Sequence, residues 1–81
     1  MKLVLKKQPR KFLAACDEQT RKKLYAALDD VANLRGDIKR LQGTECRYRY
    51  KIHHYRIIFE WIRGELVIAV IEINTRTNIK Y

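Results

Sequence analysis

From residue 46 to residue 56 the chain runs Cys-Arg-Tyr-Arg-Tyr-Lys-Ile-His-His-Tyr-Arg, and up to Ile52 basic and apolar positions alternate one for one. Successive side chains of a strand point to opposite faces, so the segment predicts a β-strand with Arg47, Arg49 and Lys51 on one side and Cys46, Tyr48, Tyr50 and Ile52 on the other. With His53-His54 as a two-residue turn, the returning strand pairs Ile52 with Tyr55, Lys51 with Arg56, Tyr50 with Ile57, Arg49 with Ile58, Tyr48 with Phe59 and Arg47 with Glu60. The apolar face then collects Tyr48, Tyr50, Ile52, Tyr55, Ile57, Phe59 and Trp61, enough to receive helices, while Arg56 joins the cations. Histidine is a poor former of type I′ turns, so a longer loop at His53 and His54 is the alternative.

Around this hairpin the pattern changes period. Lys2 to Lys6 alternates as a short strand, and Pro9 opens a first helix through Phe12, Leu13 and Cys16. Asp17 is placed to cap a second helix to about Leu34, whose apolar positions Leu24, Ala27, Leu28 and Val31 follow the three-four spacing of a buried stripe. Arg21, Lys22, Lys23, Asp29 and Asp30 fall largely away from that stripe. Asp29 and Asp30, adjacent on the helix, diverge and are structural. Gly36 and Gly43 punctuate an irregular stretch from Asp37 to Glu45. Arg63-Gly64 makes a second turn, and the continuously apolar run from Glu65 to Ile73 predicts an interior strand. The fold class expected is α+β: an N-terminal strand, a two-helix hairpin and a three-stranded antiparallel meander. Its helices pack on one face of a four-stranded sheet, and residues 1–81 form one domain.

Charge adds a function to this outline. Eighteen Lys and Arg against nine Asp and Glu give a formal net charge of +9 on 81 residues, a self-repelling balance that marks proteins of polyanions, anionic surfaces or acidic partners. Along a strand, same-face side chains recur about every 6.5–7 Å, a spacing near that of phosphates on a nucleic-acid strand. A solvated face made only for solubility mixes signs, whereas this one sets three like charges in a row. The like-charged pair Lys51 and Arg56 costs about 0.2–1 kcal/mol unless an anion sits between them, which makes it the floor of a binding site. Glu60 is the matching acid for Arg47.

Several classes are excluded. The longest uncharged run, Leu66 to Ile71, is far too short to span a bilayer, and the start Met1-Lys-Leu-Val-Leu-Lys-Lys is no signal peptide. A cytoplasmic protein without a membrane partner is expected, with Cys16 and Cys46 as reduced, buried, structural thiols. There is no Gly-rich phosphate loop, no His-x-x-x-His or Cys-x-x-Cys pair, and no serine for a Ser-His-Asp set. Neither a metal nor a cofactor is expected.

The order of elements, the Leu-x-Gly at Leu41 to Gly43, the basic strand leading to Tyr55-Arg56-Ile57-Ile58-Phe59, the apolar strand Leu66 to Ile73 and the closing Arg76 to Tyr81 resemble the RelE/ParE superfamily of bacterial toxins. The resemblance covers nearly the whole chain. It implies the toxin of a type II toxin–antitoxin pair, held inactive by a cognate antitoxin that the basic surface suggests is acidic. RelE-like members of that superfamily cut mRNA in the ribosomal A site, and ParE-like members poison DNA gyrase. The RelE-like branch matches better residue by residue, implying a catalytic set of Arg47, Arg49, Lys51, Arg56, Arg76 and Tyr81. RNA contacts then fall to Arg47, Arg49, Lys51, His53, His54, Arg56 and Lys80, and the partners are the ribosome and mRNA besides the antitoxin. The chemistry implied is metal-free attack of a ribose 2′-hydroxyl on the adjacent phosphate. The general base in this family is often Lys or Glu, whereas Arg47 and Arg49 stay protonated; Lys51, His53, His54 or ribosomal RNA then takes the proton. Lys80 competes with Tyr81 for the place of the family tyrosine. Two alternatives stay open, a ParE-like gyrase inhibitor and an inactive RNA- or antitoxin-binding module.

Overall fold

The computed structural model describes residues 1–75, so the expected site residues Arg76, Lys80 and Tyr81 lie outside the described part. In chain order the elements are β1 (Lys2–Leu5), α1 (Lys7–Ala15), α2 (Glu18–Ala32), β2 (Asp37–Arg40), β3 (Arg47–Ile52), β4 (Tyr55–Trp61) and β5 (Val67–Thr75). The strands form one sheet in the order β1-β5-β4-β3-β2, with β1 and β5 parallel and the other neighbours antiparallel. The α+β class holds, with five strands where the sequence suggested four.

The additional strand is β2, inside the stretch expected to be irregular. It has four residues and turns only Ile38 toward the core, while Asp37, Lys39 and Arg40 are exposed. One inward apolar residue makes no alternation to detect. A short, charged strand is also how sheets protect an edge from pairing with other chains. The connection to β3 is closed by Thr44, whose hydroxyl donates to the Leu41 carbonyl at 3.0 Å.

The β3–β4 hairpin has the expected register in all six pairs, from Arg47 opposite Glu60 to Ile52 opposite Tyr55. His53-His54 is a two-residue turn in which only His53 takes positive φ, at 50°. A type I′ turn needs positive φ at both central residues, so the histidines form the tight turn by another geometry.

Both helices lie on the apolar face of the sheet. Leu24, Ala27, Leu28 and Val31 of α2 and Leu13 of α1 bury against Tyr50, Ile57, Phe59, Ile68, Val70 and Ile73. Asp17 caps α2 by accepting the Thr20 amide at 2.7 Å, which holds its carboxyl below the usual range. Helix α1 begins at Lys7, two residues before the expected Pro9. Pro9 still sits in the first turn, where a missing N–H breaks no intrahelical bond. Helix α2 ends at Ala32 rather than Leu34, because Leu34 adopts φ 54° and the Leu34 and Arg35 amides turn back to the Val31 and Asp30 carbonyls. Arg21, expected largely away from the buried stripe, reaches back to the end of α1 and donates to the Leu13 and Cys16 carbonyls at 3.0 and 2.7 Å.

Strand β5 is interior, as its apolar run predicts, but irregular. Opposite Ile58 and Phe59 of β4 its partners jump from Glu72 to Val70, so Ile71 is an extra residue. The bulge lets both Ile73 and Val70 face the helices. Past the end of β1, the Gln8 side chain of α1 accepts from the Ile73 amide at 2.8 Å and donates to its carbonyl at 3.0 Å. One side chain thereby replaces a strand neighbour.

Candidate nucleic-acid interface

The face opposite the helices takes its side chains from alternate strand positions, and the register sorts them into rows across the sheet. Nearest the histidine turn the row is Asp37, Lys51, Arg56 and Asn74; the next is Lys39, Arg49, Ile58 and Glu72; the third is Arg47, Glu60, Ala69 and Val4. Arg47, Arg49, Lys51 and Arg56 therefore share one face, as expected from their alternation. The face is not purely cationic, because the same rows carry Asp37, Glu60 and Glu72. Lys39 was hidden from sequence reasoning with the rest of β2, yet it stands directly opposite Arg49.

These acids divide the cations into two kinds. Arg47 is answered: its Nε donates to Glu60 Oε2 at 3.0 Å, an exposed pair of little energetic weight that nonetheless occupies the guanidinium. Arg49 and Arg56 are not. Arg49 stands between Lys39 and Ile58, and Arg56 between Lys51 and Asn74. Arg49 Nη1 and Arg56 Nε are both buried without a hydrogen-bond partner among the described residues. A buried N–H of a charged group left unbonded is costly, and an anion's oxygens supply the missing acceptors. His53 and His54 are exposed at the turn beyond the Lys51–Arg56 row.

The rest of the surface suits an anion less well. A hollow at the other end of this face is lined by Cys46, Glu60, Ile62, Glu65, Val67 and Ala69, and its two carboxylates repel one. Cys16 and Cys46 are free and half-buried rather than fully buried, and burial raises the Cys16 thiol, which makes it a poor nucleophile. Asp29 and Asp30, expected to diverge, both hold Arg35, at 3.4 and 3.1 Å, and so belong to the helix end. Among the described residues no group of three or more His, Cys, Asp or Glu is arranged for a metal ion. No helix among them is long and apolar enough to cross a membrane.

No protein-family model matches the chain, and no curated protein matches it in sequence. Solved structures do. The isolated RelE toxin of E. coli superposes with a TM-score of 0.70 at 22% identity, over 91% of this chain and 82% of that one. The fold is the RelE fold. Chains of two archaeal antitoxin–toxin complexes agree: that of RelB-RelE from Methanococcus jannaschii with a TM-score of 0.71 at 23% identity, covering 94% of this chain and 93% of that one; and that of RelE-RelB from Pyrococcus horikoshii with 0.72 at 20%, covering 93% of each. On this RelE fold the unanswered arginines lie on the sheet face opposite the helices.

Proposed function

We propose that the chain is the toxin of a type II toxin–antitoxin pair and acts as a ribosome-dependent mRNA endoribonuclease. The observation that carries this reading is the pair of buried, unbonded guanidinium atoms, Arg49 Nη1 and Arg56 Nε, on one face of a RelE fold. Arginines with free N–H groups bind the nonbridging oxygens of phosphodiesters, and at the scissile one negative charge grows as a 2′-hydroxyl attacks. Each preorganised donor of this kind contributes about 2–4 kcal/mol to the barrier. Lys51 beside Arg56 adds charge to the same spot. Both arginines remain protonated, so the proton of the attacking hydroxyl passes to Lys51 in its neutral form, to His53, to His54 or to ribosomal RNA, while the P–O5′ bond breaks and the departing 5′-oxygen takes up a proton. Arg76 and Tyr81, with Lys80 as its rival, complete the expected set.

A basic surface of this sort is silenced by covering it. The partner in the reading is an acidic antitoxin that neutralises several of these cations, and its affinity falls as salt is added.

The test is purified protein added to translating ribosomes. Cleavage ends bearing 2′,3′-cyclic phosphate at the codon in the A site, with free RNA cut poorly and Arg56→Ala inactive, are the expected result. Intact mRNA alongside stalled gyrase and broken DNA would replace this reading with the ParE-like one.

A further inference from the structure

Two like-charged pairs face each other across strands on the open face, Lys51 with Arg56 and Lys39 with Arg49. We infer that Lys39 and Arg49 form a second phosphate subsite, which holds the phosphodiester next to the one bound over Lys51 and Arg56. The inference rests on the nucleic-acid reading above and adds to it a residue and a direction.

Arg49 has no acid on either flank: one ladder neighbour is Lys39 and the other is Ile58. Its Nη1 is buried and has no hydrogen-bond partner among the described residues, and the apolar Ile58 beside it lowers the local dielectric, which strengthens its attraction for an anion. Lys39 is exposed and belongs to none of the ion pairs among the described residues. Its flexible stem lets the ammonium reach over Arg49. The two pairs are offset by two residues along β3 and by one strand across the sheet. From strand rise and strand spacing their midpoints lie about 8 Å apart, a distance a single-stranded backbone covers in one nucleotide.

The offset also sets a path. A track running straight down β3 from Lys51 through Arg49 would end on Arg47, which Glu60 already holds at 3.0 Å, and toward β5 it would meet Glu72. The diagonal toward Lys39 passes between Lys51 and Arg49, with Asp37 beside it on β2 opposite Lys51, and leaves over β2, the edge of the sheet. A nucleic-acid strand therefore crosses from β4 to β2 instead of following one strand.

Titration of the full chain with 2′-O-methylated UpU and UpUpU, which offer one and two phosphodiesters and cannot be cleaved, tests this by NMR at low ionic strength. Wild type is expected to bind UpUpU more tightly than UpU. Lys39→Gln is expected to bring UpUpU down to the level of UpU and to cut the slope of log affinity against log salt by about 0.7, the value for one phosphate on a single strand. It leaves UpU binding unchanged, and Lys39→Arg restores the difference. Lys23→Gln, which removes the same charge from an exposed site on α2, changes neither ligand. Equal losses for UpU and UpUpU, or no loss for either, would overturn the second subsite while the first stands. A wild type that binds neither oligonucleotide would overturn the nucleic-acid reading as well.

Discussion

The Tyr50 hydroxyl donates a 2.9 Å hydrogen bond to Oδ2 of Asp30 and so ties the middle of β3 to the last turn of α2. The ring is only 3% exposed, and Arg35 donates to the other oxygen of the same carboxylate at 3.1 Å. Arg49 and Lys51 flank Tyr50 in sequence, so the bond that anchors the strand from the helix side also fixes the backbone presenting these cations on the other.

Tyr50→Phe is therefore expected to cost about 1.5–3 kcal/mol in urea unfolding, the loss of one hydrogen bond to a charged group, with Arg35 still satisfying Asp30. The pH dependence is specific. Burial, and next the bond to Asp30, push the Tyr50 hydroxyl from its ordinary 10.0 up to about 12. The folded state holds this proton more tightly than the unfolded state, so the contribution is complete below pH 10 and is lost as pH rises through about 12. The stability difference between wild type and Tyr50→Phe should shrink across that window; a constant difference would show that Tyr50 is not the titrating group.

Gly36 stands where the chain leaves α2, at φ 99°, and a Cβ there would run into Cε1 of the Tyr50 ring. Gly36→Ala is expected to destabilise by more than the ~1–2 kcal/mol that a left-handed backbone alone costs an L residue. Gly43, at φ 81°, faces open space, so Gly43→Ala carries only the backbone cost. Comparing the two by thermal unfolding isolates the contact with Tyr50.

Phe59 is fully buried beneath the helices, and Phe59→Ala is expected to lose about 3–5 kcal/mol, enough to unfold a domain of this size. Trp61, which the sequence places with Phe59 in the core, is only half-buried and leans on Tyr48 while its Nε1 donates to the Glu65 carbonyl. Trp61→Ala should cost less than Phe59→Ala, and circular dichroism with urea titration ranks them.

Strict alternation made β3 and β4 legible down to the individual pair, because the helix-facing side of the hairpin is apolar throughout and a one-residue slip would have turned the charged positions onto it. The α2 stripe was legible for the same reason at helical period. What escaped was held by single polar contacts with no periodicity: Gln8 on the backbone of Ile73, Arg21 on the end of α1, and Asp29 with Asp30 on Arg35. The short β2 escaped with them, and it carried Lys39 and Asp37. The picture of the cationic face was therefore correct in its arginines but incomplete in the neighbours that decide which of them are answered.

Those neighbours lead to a prediction in which stability and function move in opposite directions. Lys51 and Arg56 face each other directly across the ladder, and Arg56 Nε is buried without an acceptor. Like charges so placed work against the fold by about 0.2–1 kcal/mol, and a donor unbonded among the described residues adds to the cost. Arg56→Gln relieves the repulsion while keeping much of the side chain's length. It is expected to unfold at higher urea than wild type at low ionic strength, with the gain fading as salt screens the wild-type pair. The same substitution should abolish cleavage of ribosome-bound mRNA and the arrest of growth. Arg47→Gln is the counterpart: it breaks the exposed bond to Glu60, whose removal should alter stability by less than about 1 kcal/mol. A less stable Arg56→Gln protein would mean that neighbouring groups already compensate this charge, and that the face was not held in readiness for an anion.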